Sequence, residues 1–321
     1  MSQPIVHDLQ SLSDTRHVLT IGSFDGVHRG HQYLLSRVVN EARGRGIASL
    51  VVTFDPLPAE VLRPDKAPTR ISTTEERTRE ILNSGIDRVA LLTFDQALAS
   101  RTADDFLDDI RLHARPEVIV VGNDFAFGHK RQGTPEFLQQ RAHSDGFELQ
   151  VIERHNPTSV EWSSSFVRRQ LIDDGNVTRA AEALGRYPGL SGRVRDGDHR
   201  GRELGYPTAN LAVPDRLTVP ADGIYAAMVA VHDSEPGTSR PALVYVGTRP
   251  TFGGTERIVE VFLLNFRGDL YDRTISLHFV DRIRGDRRFD TVEELVEQMK
   301  RDEAAGREIF ANLGIIIAAA E

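Results

Sequence analysis

The chain has 321 residues, enough for two domains of ordinary size that each bury an apolar core. It contains no cysteine, which excludes disulfides, thiolate nucleophiles and cysteine-ligated metal sites. The net charge of −8 excludes a global basic field for nucleic acid or anionic lipid, although a local basic pocket for phosphates stays open. No signal peptide is recognisable, and no run approaches the ~20 apolar residues that span a bilayer. We therefore expect a cytoplasmic protein without nucleic-acid or membrane partners.

Short apolar runs alternate with amphipathic helical patterns through the first half of the chain. This alternation is typical of right-handed βαβ units, so we predict a doubly wound α/β domain over residues 1–187. Ser72 followed by Glu75 predicts a capping box at one helix start, and Thr134 followed by Pro135 predicts an N-cap with proline in the first turn at another. The predicted strands are nearly continuous apolar runs, as in a sheet covered on both faces, at 17–21, 48–54, 88–94, 117–121 and 147–152.

The pattern changes near the boundary at 187/188, after which β-type runs follow one another without helical crossovers. This succession predicts an antiparallel β-barrel or sheet over residues 188–321. One helix after Thr291 closes the chain, and we expect the segment beyond it to end the helix or fray. Its predicted buried face consists of Val292, Leu295, Val296 and Met299. The predicted strands lie at 190–195, 223–231, 242–248, 257–266 and 274–283.

The segment I-G-S-F-D-G-V-H-R-G-H, residues 21–31, joins the first predicted strand to a helix. A helix start at the carboxyl end of a parallel strand offers free N–H groups and a positive dipole end to an anion. Glycines let phosphate oxygens approach the backbone, and imidazoles at His28 and His31 can donate to a polyphosphate. Two alternatives stay open, namely half of a zinc site and a tight turn with ordinary histidines.

A second glycine-flanked segment, residues 192–211, ends in Pro-Thr-Ala-Asn-Leu. In extended backbone, residues two apart point to the same face, so the oxygens of Thr208 and Asn210 can reach one cation. Neutral oxygens suffice for Mg²⁺ when nucleotide phosphates supply the negative charge. The alternative is a turn in which Asn210 bonds to its own backbone.

The motif at residues 21–31 resembles the nucleotide-binding signature of nucleotidyltransferases with a HIGH-type motif, in the form of bacterial FAD synthetases. Segments 52–58, 121–133 and 162–171 resemble three further elements of that family, in order. The resemblance implies a Rossmann-like fold, catalytic contacts from His28, His31 and Arg168, and ATP contacts from Gly22, Ser23, Phe24, Asp25, Gly30 and Ser164. It places the flavin beside Pro56, Pro58, Asp124 and Phe127. Leu57 stands where the family has histidine.

The segment at 192–211 resembles the signature of riboflavin kinases, and 246–254, 257–266 and 269–290 resemble that family's later blocks. The resemblance implies that Glu260 is the catalytic base beside the flavin. It further implies ATP contacts from Gly201, Arg202, Pro207 and Thr208, and Mg²⁺ held by Thr208 and Asn210. Asn265 and Asp272 depart from the family pattern.

Together the resemblances imply a bifunctional enzyme of flavin cofactor synthesis. One domain would convert riboflavin and ATP to FMN and ADP, and the other would join FMN to AMP from ATP, giving FAD and pyrophosphate. ATP would be the co-substrate and Mg²⁺ the cofactor, with self-association left open. Two alternatives remain: a riboflavin kinase whose adenylyltransferase domain is weakened or inactive, as Leu57 suggests, and a non-catalytic flavin- or nucleotide-binding module.

Overall fold

The computed structural model describes residues 3–12, 15–153, 162–195, 205–232, 239–251 and 254–317. The chain divides into two compact units, Met1–Ser164 and Ser165–Glu321. Residues 165–187, which we placed in the first domain, therefore lie in the second unit, with the strands that follow them. As a division between functional domains, 187/188 stays a prediction.

The first unit is a parallel sheet with helices along the chain between its strands. Its strand order is β1-β4-β3-β2-β5-β6, and every neighbouring pair is parallel, which confirms the doubly wound α/β prediction. The strands are β1 Ile5–Val6, β2 His17–Ile21, β3 Ala48–Asp55, β4 Arg88–Thr93, β5 Pro116–Gly122 and β6 Glu148–Ile152. The helices are α1 Arg29–Arg45, α2 Pro58–Leu62, α3 Thr74–Asn83, α4 Gln96–Ser100, α5 Ala103–Ala114 and α6 Pro135–Asp145.

The order of the strands reverses between β2 and β5, and this switch point positions the first candidate site. In open α/β sheets, ligands bind beyond the carboxyl ends of the strands at such a point, because the connections there diverge to opposite faces. The loop that follows β2 carries the histidine motif, and the loop that follows β5 carries Asp124. The fold thus brings two of the predicted segments to one edge of the sheet.

The predicted start of α3 is wrong by one residue. Its N-cap is Thr73, whose side chain accepts from the N–H of Glu76, while the Glu76 carboxylate accepts from the N–H of Thr73. Ser72 is engaged elsewhere, since its hydroxyl accepts from the N–H of Gly26 at 3.3 Å. The start predicted at Thr134 with Pro135 is confirmed.

The second unit is a closed six-stranded barrel with helices at both ends of its sequence. The order around the barrel is β10-β11-β8-β7-β12-β9, and each neighbouring pair is antiparallel, which confirms the barrel prediction. The strands are β7 Gly189–Arg195, β8 Ala209–Ala212, β9 Gly223–Val231, β10 Ser239–Thr251, β11 Gly254–Leu263 and β12 Thr274–Gly285. The helices are α7 Ser164–Ile172, α8 Val177–Leu184 and the closing α9 Val292–Asn312.

The buried face predicted for α9 is only partly right. Val292 is 57% exposed, and the buried positions of the helix are Asp302, Gly306 and Phe310 in its second half. Asp302 is held by the Arg284 guanidinium of β12, with 2.8 Å between Nη2 and Oδ2. The helix is therefore buried through the Arg284–Asp302 ion pair and through Phe310, which packs in an apolar cluster, rather than through the apolar stripe at its start.

The segment after α9 does not fray where the structure describes it. Ile315 and Ile317 pack against the apolar cluster that contains Phe310. Within the described residues, none of the helices combines the length and the apolar character that a bilayer crossing requires.

Candidate active sites

The loop after β2 folds tightly through backbone conformations that few residues adopt. Phe24, Gly26 and Val27 all have positive φ, of 51°, 77° and 40°. At Gly26 a side chain would place its Cβ 2.8 Å from Ile71 Cγ2, so only glycine fits. A β-branched residue such as Val27 is rare in this region, and such strain persists only where the surrounding structure over-determines it. It clusters at functional sites, which marks this loop as a candidate.

The buried carboxylate of Asp25 ties the loop to neighbouring main-chain N–H groups. It is 3% exposed, and Oδ1 accepts from the N–H groups of Ile71 at 3.0 Å and Ser72 at 3.4 Å. The carbonyl of Asp25 accepts from the Ser164 hydroxyl at 2.9 Å. Two residues expected to contact ATP are thereby brought together as supports of the loop. Their contact with ATP itself stays a prediction.

His28 and His31 meet at the start of α1. His28 is the N-cap, and its Nδ1 accepts from the N–H of His31 at 3.3 Å. The two imidazoles stack with 3.7 Å between their centroids, and the ring of Phe24 lies edge-on to His31 at 5.1 Å. Within the part of the chain that the structure describes, no three His, Asp or Glu side chains group as a metal site requires. The zinc alternative therefore has no support here.

The loop at the end of β3 carries Pro56 and Pro58, both half-buried, around a buried Leu57. Asp55 accepts from the Thr74 hydroxyl at 2.9 Å, which ties the loop to α3. The N–H of Leu57 donates to the Glu60 carboxylate at 2.8 Å, in the first turn of α2. Leu57 thus fits the helix start as an apolar residue in the position where the family resemblance expects histidine.

After β5 the two residues expected beside the flavin differ in environment. Asp124 is exposed, whereas Phe127 is 8% exposed and belongs to the apolar core. The ring of Phe127 packs among those of Phe106, Phe125 and Phe137, with centroid distances of 5.5 to 6.0 Å. The structure gives Phe127 a packing role, and its contact with a flavin stays a prediction. Arg168 lies on α7 in the second compact unit, and its approach to phosphates is likewise untested.

Register places the second constellation on the outer face of the barrel. Glu260 of β11 lies opposite Asn210 of β8, and the Thr208 hydroxyl donates to Glu260 Oε2 at 3.2 Å. The flanking residues Val259 and Val261 point into the barrel and are buried, so Glu260 points outward and is half-buried. Three side chains predicted from two separate segments therefore converge.

Tyr245 is a neighbour that the sequence did not reveal. It lies opposite Glu260 on β10, the strand on the other side of β11. Burial raises the pKa of Tyr245, and the nearby carboxylates of Asp286, Asp222 and Glu260 add to the shift. Only the ladder register could have identified it, because residues 15 apart in sequence carry no local signal of contact.

The oxygen set at this face fits a hard cation. The Thr208 hydroxyl and the Asn210 amide supply only oxygen ligands, as Mg²⁺ requires, and nucleotide phosphates would complete the set. Pro207 is exposed beside Thr208, while Gly201 and Arg202 lie outside the described residues. The family departures at Asn265 and Asp272 occupy left-handed positions, with φ of 54° and 62°. Asn and Asp are the non-glycine residues that tolerate this conformation best.

Comparison with known proteins decides the family. A model described as FAD synthetase matches residues 10–166, and one described as riboflavin kinase matches residues 184–310. The bifunctional riboflavin kinase/FMN adenylyltransferase of Escherichia coli K12 is 38% identical over 306 residues, covering 95% of this chain and 96% of that protein. This chain belongs to the bifunctional riboflavin kinase/FMN adenylyltransferase family. The protein of the same name from Pseudomonas fluorescens is 37% identical over 296 residues, covering 92% of this chain and 93% of that protein.

Membership confirms the enzyme class expected from the sequence. The chain carries both a FAD synthetase domain and a riboflavin kinase domain, so it is a transferase with both activities, and neither alternative function gains support. ATP, riboflavin, FMN and FAD are substrates or products of this family. A crystal structure described as a macrolide-efflux protein from Streptococcus pneumoniae is also similar, with a TM-score of 0.84 and 32% identity over 94% of this chain and 98% of that one. The efflux function in that description is stated of the Streptococcus pneumoniae protein and is not carried over to this chain.

Proposed function

We propose that the loop after β2 is the adenylyl-transfer site and that the outer face of β8 and β11 is the kinase site. The observation that carries the assignment is the convergence of Thr208, Asn210 and Glu260 on one outward face. A binding module needs no carboxylate aimed at a ligand hydroxyl, whereas a kinase does. The stacked imidazoles at the start of α1 support the other half of the assignment.

Adenylyl transfer asks the protein for positioning and charge stabilisation. A phosphate oxygen of FMN attacks the α-phosphorus of ATP, and the bond to the β-phosphate breaks as pyrophosphate leaves. The nucleophile is already an anion, so no base is required. N–H groups at the start of α1 and donors from His28 and His31 would hold the charge that moves onto pyrophosphate. The loss of one such donor typically costs about 10²- to 10³-fold in rate.

Riboflavin phosphorylation does need a base. The 5′-hydroxyl of riboflavin attacks the γ-phosphorus of ATP, and its proton passes to the Glu260 carboxylate as ADP leaves. The Thr208 hydroxyl holds Oε2, which fixes the orientation in which the carboxylate meets the flavin hydroxyl. Thr208 and Asn210 would hold Mg²⁺ together with the nucleotide. When bound, the ion would neutralise phosphate charge.

We infer a cytoplasmic site of action, because ATP is the co-substrate and the chain has no cysteine that would profit from an oxidising compartment. The net charge of −8 supports small-molecule partners over nucleic acid. Self-association stays open.

End-point chromatography of flavins tests the assignment. The protein is incubated with riboflavin and ATP, with Mg²⁺ and with Mg²⁺ removed by EDTA, and in a second series with FMN in place of riboflavin. We expect FMN followed by FAD in the first series, FAD alone in the second, and neither in EDTA. FMN that accumulates without FAD would favour a kinase with an inactive first domain. Flavin binding without ATP turnover would favour the binding module.

A further inference from the structure

A buried arginine joins the two loops of the adenylyl-transfer site. Arg77 lies on α3 and is 2% exposed. Its Nη1 donates to the carbonyl of Ser23 at 3.0 Å, and its Nη2 donates to the carbonyl of Phe54 at 2.6 Å. Ser23 belongs to the loop after β2, and Phe54 precedes the loop that carries Pro56 and Pro58. One planar side chain thus spans the two segments expected to hold ATP and flavin.

Helix packing alone gives no reason to place a guanidinium here. Burial lowers the pKa of Arg77, and the carboxylates of Asp25, Asp55 and Glu60 counter part of that shift. Its Nε is buried and has no hydrogen-bond partner in the described part of the chain, which carries a desolvation penalty. An apolar side chain of similar length would avoid this penalty. What it would not provide is the fork of donors whose geometry matches two carbonyls at a fixed spacing.

We propose that Arg77 is a positioning residue for adenylyl transfer, because it fixes the spacing between the loop after β2 and the loop after β3. This inference rests on the proposed function of the first unit. Each loop would bind its own reactant, so the spacing of the loops sets the distance between the FMN phosphate and the α-phosphorus of ATP. A misplacement of about 1 Å at a reacting pair can cost about 10²-fold in rate.

Two substitutions and one control test the proposal in the full-length chain. Arg77→Met keeps the length of the side chain without its donors, and Arg77→Lys keeps the charge without the fork. Arg88→Met is the matched control, because Arg88 is 8% exposed and lies at the amino end of β4, the edge of the sheet away from both loops. The kcat and KM of FAD formation from FMN and ATP are measured together with riboflavin phosphorylation by the same protein. The folded fraction of each variant is followed by fluorescence of Trp162, the single tryptophan.

For Arg77→Met we expect kcat of FAD formation to fall by about 10²-fold per folded molecule, with little change in either KM and an unchanged kinase rate. Arg77→Lys should recover part of the rate, because one ammonium cannot meet both carbonyls in the same geometry. Arg88→Met should lower the unfolding midpoint while each folded molecule keeps its rate of FAD formation.

Other results would overturn the proposal. One is a rate for Arg77→Met that, per folded molecule, equals that of the wild type; another is a loss that only follows the unfolded fraction, as in the control. If Arg77→Met does not fold, Arg77→Lys decides, since a wild-type kcat in that variant would show that the fork is not needed. A wild-type chain that makes no FAD from FMN and ATP would instead refute the proposed function, and the inference with it.

Discussion

After β2 the groups assigned to function are main-chain N–H groups and two imidazoles. They are held by residues with positive φ and by the buried side chains of Asp25 and Arg77. On the face of β8 and β11 they are side chains, of which Asn210 and Glu260 are placed by strand register and Thr208, just before β8, by its hydrogen bond to Glu260. The first arrangement suits a reaction whose nucleophile is already an anion and which needs donors aimed at moving charge. The second suits a reaction that must remove a proton, because a carboxylate has to point at a hydroxyl.

The two sites should differ in their sensitivity to substitution. A site that depends on main-chain conformation should fail when its supports change, even if no side chain at the site is touched. A site that depends on register should fail only when the reacting side chain itself changes, since the ladder holds its shape. Four substitutions, taken from the largest expected effect to the smallest, test this contrast.

The strongest test replaces the base. Glu260→Gln keeps the size and the outward direction of the side chain but removes its ability to take a proton, so FMN formation from riboflavin should fall by about 10²- to 10⁴-fold. FAD formation from FMN should be unchanged. Both rates are read from flavin chromatography, with Glu297→Gln on the exposed side of α9 as the control. Loss of both activities together would contradict the assignment of two separate sites.

The reverse pattern is expected at the helix start. His28→Ala removes a donor and the N-cap of α1, so FAD formation should fall by about 10²- to 10³-fold while riboflavin phosphorylation continues. His143→Ala on α6, where the histidine is exposed, serves as the control. The test is an initial-rate assay with FMN as substrate. An unchanged rate in His28→Ala would remove this imidazole from the mechanism.

Local pattern predicted most of the fold because strand runs and helix periods are local properties. It failed where a distant contact overrides the local preference. Ser72 has the right spacing for a capping box, but its hydroxyl is engaged by Gly26, 46 residues away in sequence. In α9 the apolar stripe at the start is less buried than Asp302, which pairs with Arg284 of β12, and Phe310, which packs in an apolar cluster.

Among the site residues, too, some could be predicted from local sequence and others could not. Thr208, Asn210 and Glu260 could be predicted because each lies in a motif that resembles a known family, and the structure brings them together. Arg77 and Tyr245 could not, because nothing in their sequence neighbourhood indicates which carbonyls or strands they meet. Residues that support a site through tertiary contacts therefore require coordinates.

The next test changes a support without touching a reacting group. Gly26→Ala forces a side chain into a left-handed position and against Ile71, so the first unit should lose about 1–3 kcal/mol of stability, with reduced FAD formation. Gly44→Ala is the control, because it lies in α1 with open space around the new methyl and should gain up to about 0.5–1 kcal/mol. Urea titration followed by Trp162 fluorescence measures both. Equal stability for the two variants would show that the loop conformation is not demanding.

The smallest effect expected is a dependence of the stability of the first unit on pH. His17 is fully buried on β2, where its Nδ1 donates to the carbonyl of Ala114 at 2.6 Å. Burial lowers the pKa of His17 below its ordinary value of 6.5, and the charge of Arg88 adds to the shift. As the pH falls through 6.5, the unfolded chain therefore takes up a proton that the folded chain refuses. The free energy of unfolding must then fall with pH until the folded histidine also titrates, by about 1.4 kcal/mol for each unit of depression.

His17→Asn isolates this contribution, because the amide can still donate but does not titrate. Urea titrations at pH 7 and pH 5, read by Trp162, should show a smaller loss of stability in the variant than in the wild type, while carboxylates contribute equally to both. In the described part of the barrel unit no histidine is buried, so we expect no matching histidine contribution to the stability of that unit. If the free energy of unfolding changed equally with pH in the wild type and the variant, His17 would be as easily protonated in the folded chain as in the unfolded one. Strand β2, which carries the adenylyl-transfer loop, would then contribute no pH dependence of its own.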